Sequence, residues 1–249
     1  MKKVLKALKN NLHKISNSSS HKQKGISRIE IPGEFNRNHG LIMEIGPEKT
    51  ASTLINLVCD NLNLSGLSNM DVLDIGCGVR FTQAIINCGI PIKSYTGVDV
   101  HKGLIDYLST NVLDSRLSYY HWNIHNELYN KDGIKLSKET ALPCEKKKKF
   151  DLIWLFSVFT HLNPMDSEIL LYILRQYINE NGYLFFSAFI DNEIDSFDDR
   201  VKENPLLEAY YNETIMKDML SRTKWQVQSV HEKNPEKYIQ HHFICTPLN

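Results

Sequence analysis

The chain has 249 residues, 42% hydrophobic and 23% charged, the proportions of an ordinary globular protein, and no apolar run approaches the roughly 20 residues that cross a bilayer. That length suits one α/β domain with a lid or a short N-terminal addition and excludes two full domains. Equal totals of 29 basic and 29 acidic groups hide an asymmetry: residues 1–27 carry seven lysines and no acid, so the acidic remainder repels phosphate backbones and shows no nucleic-acid signature.

Five scattered cysteines (Cys59, Cys77, Cys88, Cys144, Cys245) form no C-x-x-C pair, which disfavours a zinc site or redox dithiol and fits a reducing cytoplasm. Charge interrupts Val4-Leu5-Lys6-Ala7-Leu8-Lys9, so no export signal is read. Val4, Leu5, Leu8, Leu12 and Ile15 recur at helical spacing among lysines, predicting a basic amphipathic helix, followed by a serine-rich linker. The alternatives for this tail (residues 1–27) are packing on its own domain, contact with a partner, or peripheral contact with an anionic membrane.

The domain proper is expected over 28–249. A helix is predicted within Met43–Leu62, then β-rich runs at Asp71–Ile75, Ser94–Val98, Leu117–Trp122, Phe150–Phe156 and Tyr183–Phe189, alternating with helical stretches such as Phe81–Asn87, Lys102–Val112 and Ser167–Ile178. Strands alternating with helices imply crossovers and a parallel sheet. Residues 125–149 read as a polar insertion with a solvated lysine run. A helix is expected around Leu206–Leu220, then two strands, Trp225–Val230 and Tyr238–Thr246, forming a hairpin that sets one antiparallel strand in the sheet. His241 and His242 fall on opposite sides of that last strand, which makes them poor joint metal ligands.

Val72-Leu73-Asp74-Ile75-Gly76-Cys77-Gly78 is a strand ending in two glycines before a helix, a turn that lets a ligand approach the backbone and favours negative charge. Gly97-Val98-Asp99 then closes the second strand with a carboxylate placed to accept both hydroxyls of a ribose, so an adenosine derivative is implied. Phe81 stands where a dinucleotide motif needs its third glycine, which argues against a dehydrogenase. Asp74 would face a pyrophosphate unfavourably, yet would attract the ammonium end of a methionine moiety directly or through water.

Taken in order, Asp74-x-Gly76-x-Gly78, Gly97-Val98-Asp99, Phe150–Trp154, Ser157–Leu162 and Asn181-Gly182-Tyr183-Leu184 resemble the successive motifs of class I S-adenosylmethionine-dependent methyltransferases, over roughly residues 50–246. The resemblance implies a Rossmann-like, mostly parallel seven-stranded sheet with one antiparallel C-terminal strand and helices on both faces, and S-adenosylmethionine as cofactor. By resemblance, Gly76, Cys77 and Gly78 cradle the methionine portion, Asp99 binds the ribose, and Val100, Trp122, Asn123 and Ile124 wall the adenine. Arg80 replaces the third glycine of the fullest family motif.

Methyl transfer needs alignment and exclusion of water, and a base only for a nucleophile that holds its proton. His161, after the fourth strand, is the candidate general base; hydrogen bonding within its own turn is the structural alternative. Phe156 and Phe159 are read as apolar wall, and no metal site is expected, since Phe156-Ser157 stands where metal-dependent relatives carry an acid. Segments 28–48 and 190–212 are read as lid or substrate regions, with His39, Asp191, Tyr210 and Tyr211 as substrate-binding candidates alongside Phe159. The expected activity is O- or N-methylation of a small molecule, sugar or glycan. The alternative is a partner or regulatory module that retains the fold without turnover.

Overall fold

The computed structural model describes residues 28–36, 44–145, 147–233 and 239–248. The basic tail and His39 lie outside the described residues. Five helices and nine strands are described: α1 (Pro47–Leu62), β1 (Leu67–Ile75), α2 (Arg80–Asn87), β2 (Ile92–Asp99), α3 (Lys102–Asn111), β3 (Leu117–His121), β4 (Phe150–Leu155), α4 (Pro164–Arg175), β5 (Ile178–Ile190), β6 (Phe197–Asp199), β7 (Ala209–Tyr211), α5 (Glu213–Arg222), β8 (Trp225–His231) and β9 (His241–Pro247).

The central strands run parallel in the order β3-β2-β1-β4-β5. β9 joins β5 antiparallel and pairs with β8 on its other side, so the seven-stranded sheet contains one reversed strand, as the sequence predicts. Because the crossovers put helices on both faces, β2, β1, β4 and β5 are buried on both sides towards their carboxyl ends. Leu73, Ile75, Ile153 and Leu155 face α4 and α5; Val72, Leu152 and Trp154 alternate to the face covered by α1, α2 and α3. Three of the helices start where a side chain supplies a partner for unsatisfied N–H groups: His101 Nδ1 accepts the Leu104 N–H at 3.1 Å ahead of α3, Asn163 Oδ1 accepts the Asp166 N–H at 2.9 Å ahead of Pro164, and Asn212 Oδ1 accepts that of Thr214 at 2.9 Å.

Two expectations are corrected. Residues 206–212 are not helical: Tyr210 and Tyr211 pair with Phe189 and Ile190 of β5 and with β6, and the Asn212 cap delays α5 to Glu213. The β6–β7 pair, with its connection 200–208, is therefore an addition to the seven-stranded plan. The 125–149 insertion, expected to be polar with a solvated lysine run, is partly packed into the core, and within the run Lys147 and Lys149 are exposed while Lys148 is half-buried. Leu136, Leu142 and Cys144 join the core, Trp122 Nε1 donates to the Ala141 carbonyl at 3.0 Å, the Leu142 N–H donates to Tyr177 Oη at 3.1 Å, and Lys148 Nζ donates to Thr96 Oγ1 at 2.9 Å.

The start of the domain is stitched to the helical face. The Ile29 N–H donates to Asn87 Oδ1 at 2.8 Å, Tyr107 Oη donates to the Glu30 carbonyl at 2.5 Å, and Phe35 meets the His101 ring edge-on at 5.8 Å. What is described of the 28–48 segment before α1 thus lies against α2 and α3.

Candidate functional site

Parallel sheets open a crevice at the carboxyl ends of their strands, where the order reverses, and here β1 and β4 diverge at that edge. A cleft of about 660 Å³, counting its open mouth, lies there. Its floor comes from the ends of β1 and β2 (Ile75, Gly76, Val98, Asp99, Val100), one wall from Trp122, Ile124, His125, Asn126, Tyr129 and Leu136, and the other from Phe156, Ser157, Val158, His161 and Leu162.

The glycine turn has the backbone its sequence requires. Gly76 (φ +68) and Gly78 (φ +50) adopt left-handed conformations, and a Cβ on Gly76 would come within 2.8 Å of Val158 Cγ2. Gly76 is exposed in the cleft, so its backbone is open to a ligand. Asp99, only 7% exposed, accepts the Gly78 N–H on Oδ2 at 3.0 Å and the His101 N–H on Oδ1 at 2.9 Å. One carboxylate thereby ties the glycine turn to the start of α3, and each oxygen retains lone-pair capacity for a ligand hydroxyl.

Asp74 points elsewhere. At 1% exposed it does not line the cleft; its Oδ2 accepts the Tyr95 hydroxyl proton at 2.6 Å. Burial pushes its carboxyl up to about 7, against the opposing pull of the Tyr95 hydroxyl and, more weakly, of the Arg80 charge. The Trp154 indole N–H also acts on this carboxylate, though outside hydrogen-bond geometry. The expected direct attraction of a ligand ammonium by Asp74 does not fit this placement. Cys77 is buried beneath the turn, its sulfur packed on Gly97, and Asn123 is exposed with its Oδ1 held by Asn130 Nδ2 at 3.0 Å; neither lines the cleft.

Of the other candidates, Val100, Trp122, Ile124 and Phe156 line the cleft. Phe159 does not: it is fully buried against Phe186, with ring centroids 4.6 Å apart. Tyr211 is also core, donating its hydroxyl proton to the Leu162 carbonyl at 2.5 Å and lying 2.8 Å from Ser167 Oγ. Asp191 is ion-paired with Arg200, whose guanidinium lies 3.5 Å above the Tyr210 ring, itself stacked on Phe189 at 4.7 Å. These form a stack outside the cleft.

His161 does line the cleft. It ends a short 3-10 turn, Phe159–His161, with Nδ1 3.0 Å from the Leu206 carbonyl and its ring edge-on to Tyr129 at 5.7 Å. Its ring is thus held from outside its own turn, by a carbonyl 45 residues further along the chain. Ser157 is a further feature: it sits at φ +58 just past β4, its N–H donates to Ser187 Oγ at 2.9 Å, and its hydroxyl accepts from Gln240 Nε2 at 2.9 Å. A non-glycine residue held in a left-handed conformation by neighbouring strands is the kind of strain that marks functional edges.

His125, Asn126, Tyr129 and Leu136 were not singled out from sequence. The available signal was the Asn126-x-x-Tyr129-Asn130 run, in which Asn126 Oδ1 accepts the N–H groups of Leu128 and Tyr129 at 3.0 and 3.1 Å and builds a tight turn facing the cleft.

Comparison with known proteins bears on this architecture directly. A family model described as a methyltransferase domain matches residues 50–230. Malonyl-[acyl-carrier protein] O-methyltransferase of Acetivibrio thermocellus is 23% identical over 141 residues, 57% of this chain and 43% of that protein, so the chain spans less than half the length of this curated relative. Among solved structures, an S-adenosylmethionine-dependent methyltransferase from Clostridium acetobutylicum ATCC 824 superposes with a TM-score of 0.53 at 14% identity, covering 84% of this chain and 95% of its own. A glycopeptide N-methyltransferase complexed with (S)-adenosyl-L-homocysteine gives 0.55 at 10% identity, covering 80% and 89%. These structures share the fold. The matched residues run from α1 to β8 and include every strand end that borders the cleft, and on that ground the chain belongs to the methyltransferase domain family, in its class I, S-adenosylmethionine-dependent form.

Proposed function

We propose that the protein transfers the methyl group of S-adenosylmethionine to an oxygen or nitrogen of a small molecule, sugar or glycan. The observation that carries this reading is the convergence of the Asp99 carboxylate, the exposed Gly76 backbone and the His161 ring on one cleft at the strand ends. The residues fit the cofactor: a left-handed glycine turn that a side chain would fill, a carboxylate with acceptor capacity at the end of β2, and an apolar wall of Val100, Trp122 and Ile124 suited to a purine. When bound, the sulfonium supplies an activated methyl group and a thioether leaving group.

The chain's own residues then have defined tasks. Asp99 accepts the ribose hydroxyls while still holding both turns. Gly76 leaves room for the methionine portion. Phe156 and Val158 exclude water from the strand ends, and His161 receives the proton of a hydroxyl acceptor. Names of the relatives include both O- and N-methyl transfer, which supports the acceptor range and leaves it broad.

Calorimetry with S-adenosylhomocysteine tests the cofactor site. Asp99→Ala is expected to weaken binding by about 1.5–3 kcal/mol for each charged hydrogen bond lost; unchanged affinity would overturn the assignment. A screen of hydroxylated metabolites, amines and nucleotide sugars for a cofactor-dependent mass gain of one methyl group identifies the acceptor.

A further inference from the structure

Among the described residues that line the cleft, Ser157 alone combines a side chain with a left-handed backbone, at φ +58. Glycine adopts that conformation without penalty, so a serine there carries a cost in strain, and what the site gains is a hydroxyl. Its place follows from register. Asp74 on β1 pairs with Trp154 on β4, so two residues further on Gly76 and Phe156 are level, and Ser157 stands just beyond, across the crevice from the glycine turn. The approach is close, since a Cβ on Gly76 would meet Val158 Cγ2 at 2.8 Å.

The two sides of that crevice offer a ligand different groups. The turn consumes its own N–H groups: those of Gly76 and Cys77 donate to the Val98 carbonyl at 2.8 and 3.2 Å, and that of Gly78 donates to Asp99. The exposed Gly76 backbone therefore offers an acceptor and no donor. Residues 77–82, where α2 begins, do not line the cleft, so the N–H groups of that helix start are not on its surface. Ser157 supplies the donor from the other side, and it is held from the end of the chain. Gln240, immediately before β9, donates from Nε2 to Ser157 Oγ at 2.9 Å, while Oε1 lies at 3.2 Å, within reach of the hydroxyl proton. The Ser157 N–H donates to Ser187 Oγ at 2.9 Å, and Ser187 is buried on β5. One lone pair of the hydroxyl is thus taken, and its proton rests on the longer, weaker contact, which a charged ligand group displaces.

We propose that Ser157, oriented by Gln240, binds the amino-acid end of the cofactor, donating its hydroxyl proton to the carboxylate while the Gly76 backbone faces the ammonium. The proposal rests on the methyl-transfer reading and adds the C-terminal β8–β9 hairpin to the cofactor site. Ser157 touches the ligand; Gln240 is a positioning residue, acting through Ser157.

Calorimetry on the full chain with two ligands tests this without turnover. S-adenosylhomocysteine carries the amino-acid end; 5′-methylthioadenosine stops at the thioether and lacks it. Ser157→Gly suits the left-handed backbone and removes only the hydroxymethyl group. It is expected to weaken S-adenosylhomocysteine binding by about 10–100-fold, the loss of a hydrogen bond to a charged group, and to leave 5′-methylthioadenosine affinity unchanged. Gln240→Met keeps the length of the side chain without its polar atoms and should weaken S-adenosylhomocysteine alone, by about 2–10-fold, the loss of a neutral hydrogen bond. Added to Ser157→Gly, it should have no further effect, because a positioning residue has nothing left to position. Equal losses for both ligands, or no loss for either, overturn the contact, and a further loss in the double variant overturns the role of Gln240. Should Ser157→Gly fail to fold, Gln240→Met decides by the same comparison of ligands. A wild type that binds neither ligand overturns the methyl-transfer reading and the contact with it, whereas binding of both with equal sensitivity to Ser157→Gly overturns the contact alone.

Discussion

Asp74 and His161 are placed differently, one sealed behind the glycine turn and one lining the cleft, and serve different ends. Asp74 is sealed from solvent, so its ionised form is disfavoured and its carboxyl rises from 3.8 to about 7. A raised carboxyl pKa means the folded state binds more protons than the unfolded one between those values. Stability contributed by the protonated form is therefore full below pH 3.8 and declines as pH rises to about 7. Asp74→Asn, whose amide oxygen can still accept from Tyr95, should stabilise the ligand-free protein by on the order of 2–4 kcal/mol at pH 8 and little at pH 4.5. Urea unfolding at the two pH values checks this; an equal gain at both would contradict it. His161→Gln, by contrast, is expected to lower kcat on a hydroxyl acceptor by about 10²–10⁴-fold with cofactor affinity retained. At this scale the sequence was legible where backbone dictates chemistry. Gly76, Gly78 and Asp99 were found because a left-handed turn and a strand-end carboxylate leave a spacing in the chain. The direction in which Asp74 points leaves none, since Tyr95 on the adjacent strand decides it.

At the scale of elements, the 123–136 segment shows why the outer part of one cleft wall, His125 to Leu136, escaped the sequence reading while Trp122 and Ile124 did not. It has no regular period, and its shape depends on one close approach: a Cβ on Gly133 would come within 2.3 Å of the Ile124 backbone. Gly133→Ala should push the segment from its seat at a cost of about 1–3 kcal/mol. Because that segment carries Ile124, His125, Asn126 and Tyr129 into the cleft, S-adenosylhomocysteine affinity should fall as well. Thermal melts and calorimetry separate the two effects, and a loss of stability with affinity intact would show that the wall contributes nothing to binding. The β6–β7 pair was missed for a related reason. Strands of three residues are too short for alternation to register, and Tyr210-Tyr211 before Met216, Met219 and Leu220 mimics the onset of a helix. Strands β1, β2, β4 and β5, whose cleft-side halves are buried on both faces, were located because their composition reports burial directly.

Across the whole molecule, two packed layers flank the sheet, and β9 belongs to both: Phe243 and Cys245 face one, Ile244 the other. Phe243 is fully buried and stacks on Phe186 at 4.8 Å with rings nearly parallel. Phe243→Ala should cost about 3–5 kcal/mol, read by chemical denaturation; a value under 1 kcal/mol would mean the layer beside β5 closes over the gap. The same strand carries a consequence for how the chain is made. β9 follows every other described strand in sequence, yet it pairs with β5 on one side and β8 on the other, and Gln240 just before it reaches back 83 residues to Ser157 at the rim of the cleft. During synthesis the half of the sheet bearing Asp99 emerges first and can begin to assemble, while β5 waits with one edge unpaired. The Ser157 side of the cleft therefore takes its final form only after β9 has left the ribosome, and until then the nascent chain has a half-formed crevice and a strand edge open to pairing with neighbouring chains.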